Sequence, residues 1–361
     1  MRDLQALLDR LSSLRPPLKQ KRCIIGFDGF TDEIIDVVDV RKDVFSFTPI
    51  ETMEAFGQRI VDAAGQSCNI EFVRRKTKVG GNAPIMACAL AQGGYDITFI
   101  GAVGQGVVEP LFEDMANQCE QVVPLCLSGH TDALEFVDGK VMLGKMGQLP
   151  ALSFESLLEQ LPKEKLIAMF DEADLFASCN WTMMPGITDL WRKLLSEVMV
   201  ACKKRQRWMF VDLADPKKRS SQDLQEALFV LQSMGDVFDV VLGLNLSEAS
   251  SILEEKVEDS EDSLKVAAAS IEKRLGLEQV VIHGIRGAAV ATTDTVDYTE
   301  GFFCPKPVCS TGGGDNFNAG YCQGLLLDLL PQESLALGVA TSGYYVANGK
   351  SPSLADLSTL K

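Results

Sequence analysis

The residues best suited to chemistry in this chain lie between positions 310 and 320, which read STGGGDNFNAG. After the three glycines, apolar side chains recur every four residues at Phe317, Tyr321, Leu325 and Leu329, the spacing of a buried helix face. We therefore predict that a helix begins at the glycines. The free N–H groups and the dipole at such a helix start favour an anion.

An aspartate, Asp315, stands directly after these glycines. A carboxylate beside an anion site is placed to accept a proton from an attacking hydroxyl group. The same residue would also serve as a simple cap of the helix in a glycine-rich loop. This stretch alone leaves both interpretations open.

A second glycine turn, Gly80-Gly81-Asn82, precedes another helical pattern. Together the two turns resemble the ribokinase-like (PfkB) family of carbohydrate kinases, and the resemblance extends from about Cys23 to Ser353. That family carries a Gly-Gly turn near its N-terminus and the motif Asp-Thr-x-Gly-Ala-Gly-Asp near its C-terminus. Here residues 309–315 read CSTGGGD, which departs from the motif at Cys309 and Gly313.

The resemblance implies an ATP-dependent kinase that transfers the γ-phosphoryl group to a hydroxyl of a sugar or sugar derivative. Asp315 would be the base, and the amides of Gly312, Gly313 and Gly314 would hold the phosphoryl oxygens. Mg²⁺ would bridge the nucleotide phosphates. Some family members also bind a monovalent cation near the first aspartate of the motif, and Cys309 removes that carboxylate, which argues against activation by potassium.

Residues expected near the nucleotide are likewise implied by the resemblance. Asn245 and Glu248 match an Asn-x-x-Glu motif, in which Glu248 would be linked to Mg²⁺ through a water molecule. Asparagine followed by glutamate at this spacing is also an ordinary helix cap. The remaining residues assigned to the nucleotide are Thr311 and three members of the segment 280–288 (VVIHGIRGA), namely His283, Gly284 and Gly287.

The resemblance also implies which residues contact the acceptor, namely those after the first predicted strand and in the first glycine turn: Asp28, Asp32, Gly80, Gly81 and Asn82. A carboxylate can accept hydrogen bonds from two adjacent hydroxyls. Either aspartate would also suit a turn. The basic run from Arg74 to Lys78 would bind an anionic group of a phosphosugar, but we favour the solvated side of an edge strand.

After about Leu152, helical and strand patterns alternate, which predicts a mainly parallel sheet with helices on both faces. We expect a ribokinase-like three-layer α/β/α sandwich, an N-terminal helical extension over 1–22 and a kinase domain over 23–361. In the family, short strands form a small β lid, here within about 34–79 and 122–143, and Asp138-Gly139 is a hairpin signal. Lids pair in several family dimers, so we also expect a possible homodimer.

Composition excludes several other functions. The chain has 361 residues and a formal net charge of −16, which argues against nucleic acid or an anionic membrane as partner. Its 10 cysteines form no Cys-x-x-Cys pair and it has 2 histidines, so neither structural zinc nor a disulfide framework is expected. Free thiols and the absence of a membrane-length apolar run or a signal peptide predict a cytoplasmic protein.

Three other functions are compatible with glycine turns on an α/β sheet. An oxidoreductase that binds a dinucleotide needs Gly-x-Gly-x-x-Gly after the first strand, and the chain has none there. A non-catalytic nucleotide- or sugar-binding protein on this fold would be expected to lose Asp315. A nucleoside kinase of the same superfamily stays open, because Ile85 stands where sugar kinases of the family commonly have a sugar-contacting asparagine, and Phe30 or Ile85 would help to form a slot for a base.

Overall fold

The computed structural model describes residues 6–11, 21–203 and 206–358. Its strands are β1 (Arg22–Phe27), β2 (Phe30–Arg41), β3 (Phe47–Pro49), β4 (Phe72–Gly80), β5 (Asp96–Gly101), β6 (Gln121–Pro124), β7 (Gly129–Phe136), β8 (Gly139–Lys145), β9 (Leu175–Ser178), β10 (Trp208–Asp212), β11 (Asp239–Asn245), β12 (Gln279–His283), β13 (Gly287–Ala291) and β14 (Val296–Glu300). Its α-helices are α1 (Met53–Asp62), α2 (Asn82–Gln92), α3 (Glu113–Ala116), α4 (Phe154–Gln160), α5 (Lys163–Glu172), α6 (Ile187–Lys193), α7 (Ser221–Met234), α8 (Leu246–Leu253), α9 (Glu261–Leu275), α10 (Gly313–Leu326), α11 (Pro331–Asn348) and α12 (Leu354–Leu357), besides a helical segment at 6–11.

The large sheet of this structure has the strand order β14-β13-β12-β11-β10-β9-β1-β5-β6. In this spatial order, the neighbouring strands from β12 through β1 to β6 pair in parallel. The pairs β12–β13 and β13–β14 are antiparallel. Parallel strands need crossover connections, and helices between them supply these. The mainly parallel sheet expected from the alternating pattern is confirmed.

Both faces of this sheet are buried. Along β1, Ile24 belongs to one hydrophobic core and Cys23 and Ile25 to the other, as the alternation of side chains along a strand requires. Helices α4 to α9 contribute to the first core, and α2, α10 and α11 contribute to the second. The architecture is therefore the three-layer α/β/α sandwich.

A second, five-stranded sheet forms the lid. Strand β2 lies between β4 (antiparallel) and β7 (parallel), and β8 pairs with β7 across the Asp138-Gly139 turn. One segment expected in the lid lies elsewhere: β6 pairs in parallel with β5 at the edge of the large sheet. The hydrophobic run at 122–127 has strand propensity, but nothing local in the run determines which sheet it joins.

The N-terminal segment packs on the C-terminal helices. Leu7, Leu8 and Leu11 are buried against Leu337 and Tyr344 of α11. The rest of the extension predicted over 1–22 lies mostly outside the described residues. No helix in the described part of the chain is long and apolar enough to span a membrane.

Candidate active site

The first glycine turn ends β4 and begins α2. Gly81 has φ of +93°, a backbone conformation that favours glycine, and it occupies the N-cap position of α2. The buried carboxylate of Asp28, directly after β1, accepts hydrogen bonds from the amides of Asn82 at 2.9 Å and Ala83 at 2.8 Å. The Asn180 side chain donates a third bond to it at 2.7 Å. Asp28 thus fixes the start of α2.

The second glycine turn begins α10 in the same way. Gly312 has φ of +96° at the N-cap, and the amide of Gly313 donates to the Ser310 carbonyl at 3.2 Å. The Tyr345 hydroxyl of α11 donates to the carbonyl of Thr311 at 3.0 Å, which holds the loop just before the turn. The helix predicted to start at these glycines is therefore present.

Asp315 lies in the first turn of α10 and is buried. Its carboxylate accepts a hydrogen bond from the Asn82 side-chain amide at 2.8 Å, so the two glycine turns meet at this pair. Burial raises the pKa of Asp315 to about 8, and the charges of Asp28 and Glu248 add to the rise, while the Asn82 bond lowers it. A carboxyl group with this pKa can change protonation state near neutral pH.

Glu248 forms a capping box with Asn245 at the start of α8. Its carboxylate accepts from the Asn245 amide and from the Asn245 side chain, both at 2.8 Å, and from the Asp215 amide at 3.1 Å. Burial raises the pKa of Glu248. The helix-cap interpretation of the Asn-x-x-Glu motif is thus compatible with the metal-site interpretation, because the cap holds an acidic side chain at the cavity wall.

Asp212, the last residue of β10, is a further acidic residue of the site. It was not among the site residues expected from the sequence, although its place at a strand end was the available signal. It accepts hydrogen bonds from Asn318 at 2.8 Å and from the Ala214 amide at 2.9 Å. Burial raises its pKa well above the ordinary value, and the nearby charges of Glu248 and Asp315 add to the rise.

A cavity of about 660 Å³ opens under the lid and is lined by Asp32, Asn82, Asp212, Glu248 and Asp315 among others. Asp32 packs against Gly80, where an added Cβ would lie 2.4 Å from its carboxylate, and it accepts a hydrogen bond from Thr131. Burial raises the pKa of Asp32. Among the described residues that line this cavity, Lys218 is the only lysine or arginine.

A second cavity, of about 550 Å³, lies on the other side of the second glycine turn. Its wall is largely apolar and includes Phe302, Phe303, Phe317, Val339 and Val346. The lining also contains the predicted nucleotide-side residues His283, Gly284 and Gly287.

His283 ends β12 and stacks on Phe317 with ring centroids 4.9 Å apart. Burial lowers the pKa of His283 to about 4, so the ring is neutral at physiological pH. The turn that follows it is held by Asp259, whose carboxylate accepts from the amides of Ile285 and Arg286.

The two cavities meet at the N-terminus of α10, because Asn245, His283 and Gly314 line both of them. A ligand in each cavity would therefore face the same helix start. The unpaired N–H groups and the dipole there favour a phosphate group between the two ligands. This arrangement suits the transfer of a phosphoryl group from one cavity to the other.

The structure brings most of the predicted site residues together. Asp32, Gly81, Asn82, Asn245, Glu248, Thr311, Gly312, Gly314 and Asp315 line the first cavity, and Gly284, Gly287 and Gly313 line the second. Asp28 and Gly80 lie behind the first cavity's wall. Asn180 and Lys218 also line that cavity and were missed, because neither belongs to a motif recognisable in the sequence.

The basic run from Arg74 to Lys78 lies on β4 and has acidic partners within the lid. Arg74 pairs with Glu33 at 2.8 Å, and Arg75 pairs with Asp36 at 2.9 Å and with Glu135 at 2.7 Å. For Arg74 and Arg75, these pairs agree with the solvated side of a strand rather than with an anion site.

The fold and the site define a ribokinase-like carbohydrate kinase of the PfkB type. Solved structures agree on the fold. The PfkB protein from Polaromonas is 16% identical, with 94% of this chain and all of that chain covered and a TM-score of 0.62. The Burkholderia thailandensis nucleoside kinase in complex with inosine is 14% identical, with 93% and 96% covered and a TM-score of 0.57.

The chain belongs to the prokaryotic ketohexokinase family, whose model matches residues 4–361. The chain is also similar to the ketohexokinase of Haloferax volcanii, with 28% identity over 341 residues, 93% of this chain and 89% of that protein.

The position of Asp28 yields a prediction about stability. Asp28→Ala leaves three donors without their acceptor, two of them buried, so we expect the free energy of unfolding to fall by about 2 kcal/mol or more. Urea titration followed by circular dichroism measures this change. The control Asp39→Ala removes an exposed carboxylate and should change stability by less than about 0.5 kcal/mol. Unchanged stability of Asp28→Ala together with weaker binding of the sugar would instead support a substrate contact.

Proposed function

We propose that this protein transfers the γ-phosphoryl group of ATP to a hydroxyl of a free ketohexose. The observation that carries the proposal is the buried Asp315 at the start of α10, where the two cavities meet. The acceptor would occupy the cavity under the lid, and the base of ATP would occupy the largely apolar second cavity. The family match and the similarity to the Haloferax ketohexokinase support the substrate class.

Asp315 acts as the base in this mechanism. The attacking hydroxyl oxygen forms a bond to the γ-phosphorus as the bond from that phosphorus to the bridging oxygen of ADP breaks. The hydroxyl proton passes to the Asp315 carboxylate, and ADP keeps the electron pair of the broken bond. Asn82 orients the carboxylate through its bond at 2.8 Å and favours the ionised, basic form.

The amides of Gly312, Gly313 and Gly314 would stabilise the phosphoryl oxygens. The Gly313 amide already donates to Ser310, so its share would arise mainly through the helix dipole. Thr311, His283, Gly284 and Gly287 would contact the nucleotide.

The acidic residues fit a divalent cation. Glu248 and Asp212 both line the first cavity, and their charges oppose one another's ionisation. Mg²⁺ would relieve this repulsion and neutralise charge on the nucleotide phosphates. Glu248 would hold the ion through a water molecule, since its carboxylate already accepts three hydrogen bonds.

The acceptor is proposed to be uncharged, since acidic side chains (Asp32, Asp212, Glu248 and Asp315) line this cavity and Lys218 is the only lysine or arginine among its described lining residues to pair with the phosphate of a phosphosugar. Asp32 and Asn82 are proposed to bind its hydroxyls. Asp28 is proposed to act indirectly by placing Asn82, since its carboxylate is already engaged by three donors.

A nucleoside is the second candidate acceptor. Apolar side chains line the first cavity, including the Phe30 and Ile85 named from the sequence and three methionines: Met142, Met146 and Met183. Such a wall would accept the flat face of a base.

The cytoplasmic location and the homodimer also remain proposals. The lid exposes the apolar side chains of Val44, Phe45 and Val137, which would suit pairing of two lids. Light scattering of the purified protein measures whether it is a dimer.

Replacement of the proposed base is the first test of this function. Asp315→Asn keeps the shape of the side chain but removes its basicity, so kcat should fall at least about 100-fold. ATP binding, measured by calorimetry, should change little. The matched control Asp262→Asn makes the same change in the exposed first turn of α9 and should leave kcat unchanged. Full turnover by Asp315→Asn would refute the assignment.

A substrate screen tests the acceptor class. We expect consumption of ATP with ketohexoses, little with sugar phosphates because the described lining is acidic apart from Lys218, and little with nucleosides. Coupled detection of ADP measures all three classes at equal concentrations. Turnover of nucleosides alone would favour the second candidate. Strong turnover of sugar phosphates would contradict the electrostatic argument.

A further inference from the structure

The lid places one lysine against the second glycine turn. Met142 and Gly144 of β8 line the first cavity, and Lys140 is on the same face of that strand because side chains alternate. Its ammonium nitrogen Nζ lies 3.3 Å from Oγ1 of Thr311, the residue just before Gly312. A cation of the lid therefore reaches the loop at the start of α10.

An ion-pair chain holds this lysine in place. Glu135 of β7 pairs with Lys140 at 2.7 Å through one carboxylate oxygen and with Arg75 at 2.7 Å through the other. Arg75 pairs in turn with Asp36 of β2 at 2.9 Å. Charged side chains of β2, β4 and β7 are thus joined in one series to Lys140 of β8.

This series of ion pairs contributes little to the stability of the protein. The side chains of Lys140 and Glu135 are 32% and 28% exposed, and ion pairs with this access to water contribute about 0–1 kcal/mol. The charge matters more for the cavity, whose lining has four buried acidic residues (Asp32, Asp212, Glu248 and Asp315) and Lys218. Lys218 follows β10 and lies 3.5 Å from Asp215, whereas Lys140 contacts the loop that precedes the helix start.

We infer that Lys140 is a further catalytic residue, which donates a hydrogen bond to an oxygen of the phosphoryl group as it passes from ATP to the acceptor. This inference rests on the proposed kinase function. Lys140 takes no part in the proton transfer, because the proton of the hydroxyl goes to Asp315, and it contributes a positive charge. Charge on the transferring oxygens is best stabilised by donors that are already in place.

The position of Lys140 on the lid gives this contact a second consequence. The charge is present at the start of α10 only while β8 lies over the cavity. With the lid in place, the charge favours transfer of the phosphoryl group to the acceptor. When the lid is displaced the charge is absent, which disfavours transfer to water. Glu135 is the positioning residue, because it holds the ammonium group on the cavity face.

The test compares Lys140→Met with Lys145→Met. Both lysines are on β8 and both pair with a lid carboxylate, but Lys145 pairs with Asp132 and is five residues further along, on the opposite face. We expect Lys140→Met to lower kcat about 100-fold, the order seen when one preorganised donor is removed, with an unchanged KM for the sugar. Lys140→Arg should restore part of kcat, and Lys145→Met should stay within about twofold of the wild type.

Glu135→Gln provides a second measurement. It leaves Lys140 charged but weakens its anchor, so kcat should fall less than in Lys140→Met. A wild-type kcat in Lys140→Met would overturn the inference and leave the role of Asp315 standing, because Asp315→Asn tests that role separately. A raised KM for the sugar with unchanged kcat would also overturn it, since that result indicates a lid latch without contact to the phosphoryl group.

Discussion

The hydrogen bond between the side chains of Asn82 and Asp315 connects the two parts of the site that must act together. Asn82 begins α2 and Asp315 lies in the first turn of α10, and the two helices pack against each other on one face of the large sheet. Asp28, at the end of β1, fixes the start of α2 through two backbone amides. The position of the proposed base therefore depends on a strand end almost three hundred residues earlier in the chain.

The main electrostatic constraint of the site is that several acidic side chains are buried close together. A rise in the pKa of Asp315 to about 8 corresponds to a cost on the order of 6 kcal/mol for ionising this group, compared with an aspartate in water. Asp212 and Glu248 have raised pKa values for the same reason, and each opposes the ionisation of its neighbours. The helix start offsets part of this cost. A divalent cation would offset more, so a site of this kind is best matched to a ligand that brings Mg²⁺ with it.

Much of the fold could be predicted from local patterns, because glycine turns before helical runs and strand–helix alternation are local signals. The helix starts at Gly81 and Gly312 and the parallel sheet follow from such signals. Contacts between segments that are distant in the sequence could not be predicted. Asp28 and Asp32 look alike after one strand, yet only Asp28 meets the start of α2. Likewise, the acidic partners of Arg75 lie on β2 and β7, which are distant from it in the sequence. Its ion pairs therefore could not be predicted from the local sequence.

The measurement that tests the central claim most directly is the pH dependence of kcat/KM, with both substrates subsaturating, in the wild type and in Asn82→Ala. The base must be ionised to work, so the rate should rise with pH towards a plateau, with a midpoint well above that of an ordinary aspartate. The Asn82 bond lowers the pKa of Asp315, so its removal should move this rising limb to higher pH, whatever it does to the plateau. A limb at the same pH in both proteins would show that the titrating group is not Asp315 and would contradict the proposed mechanism.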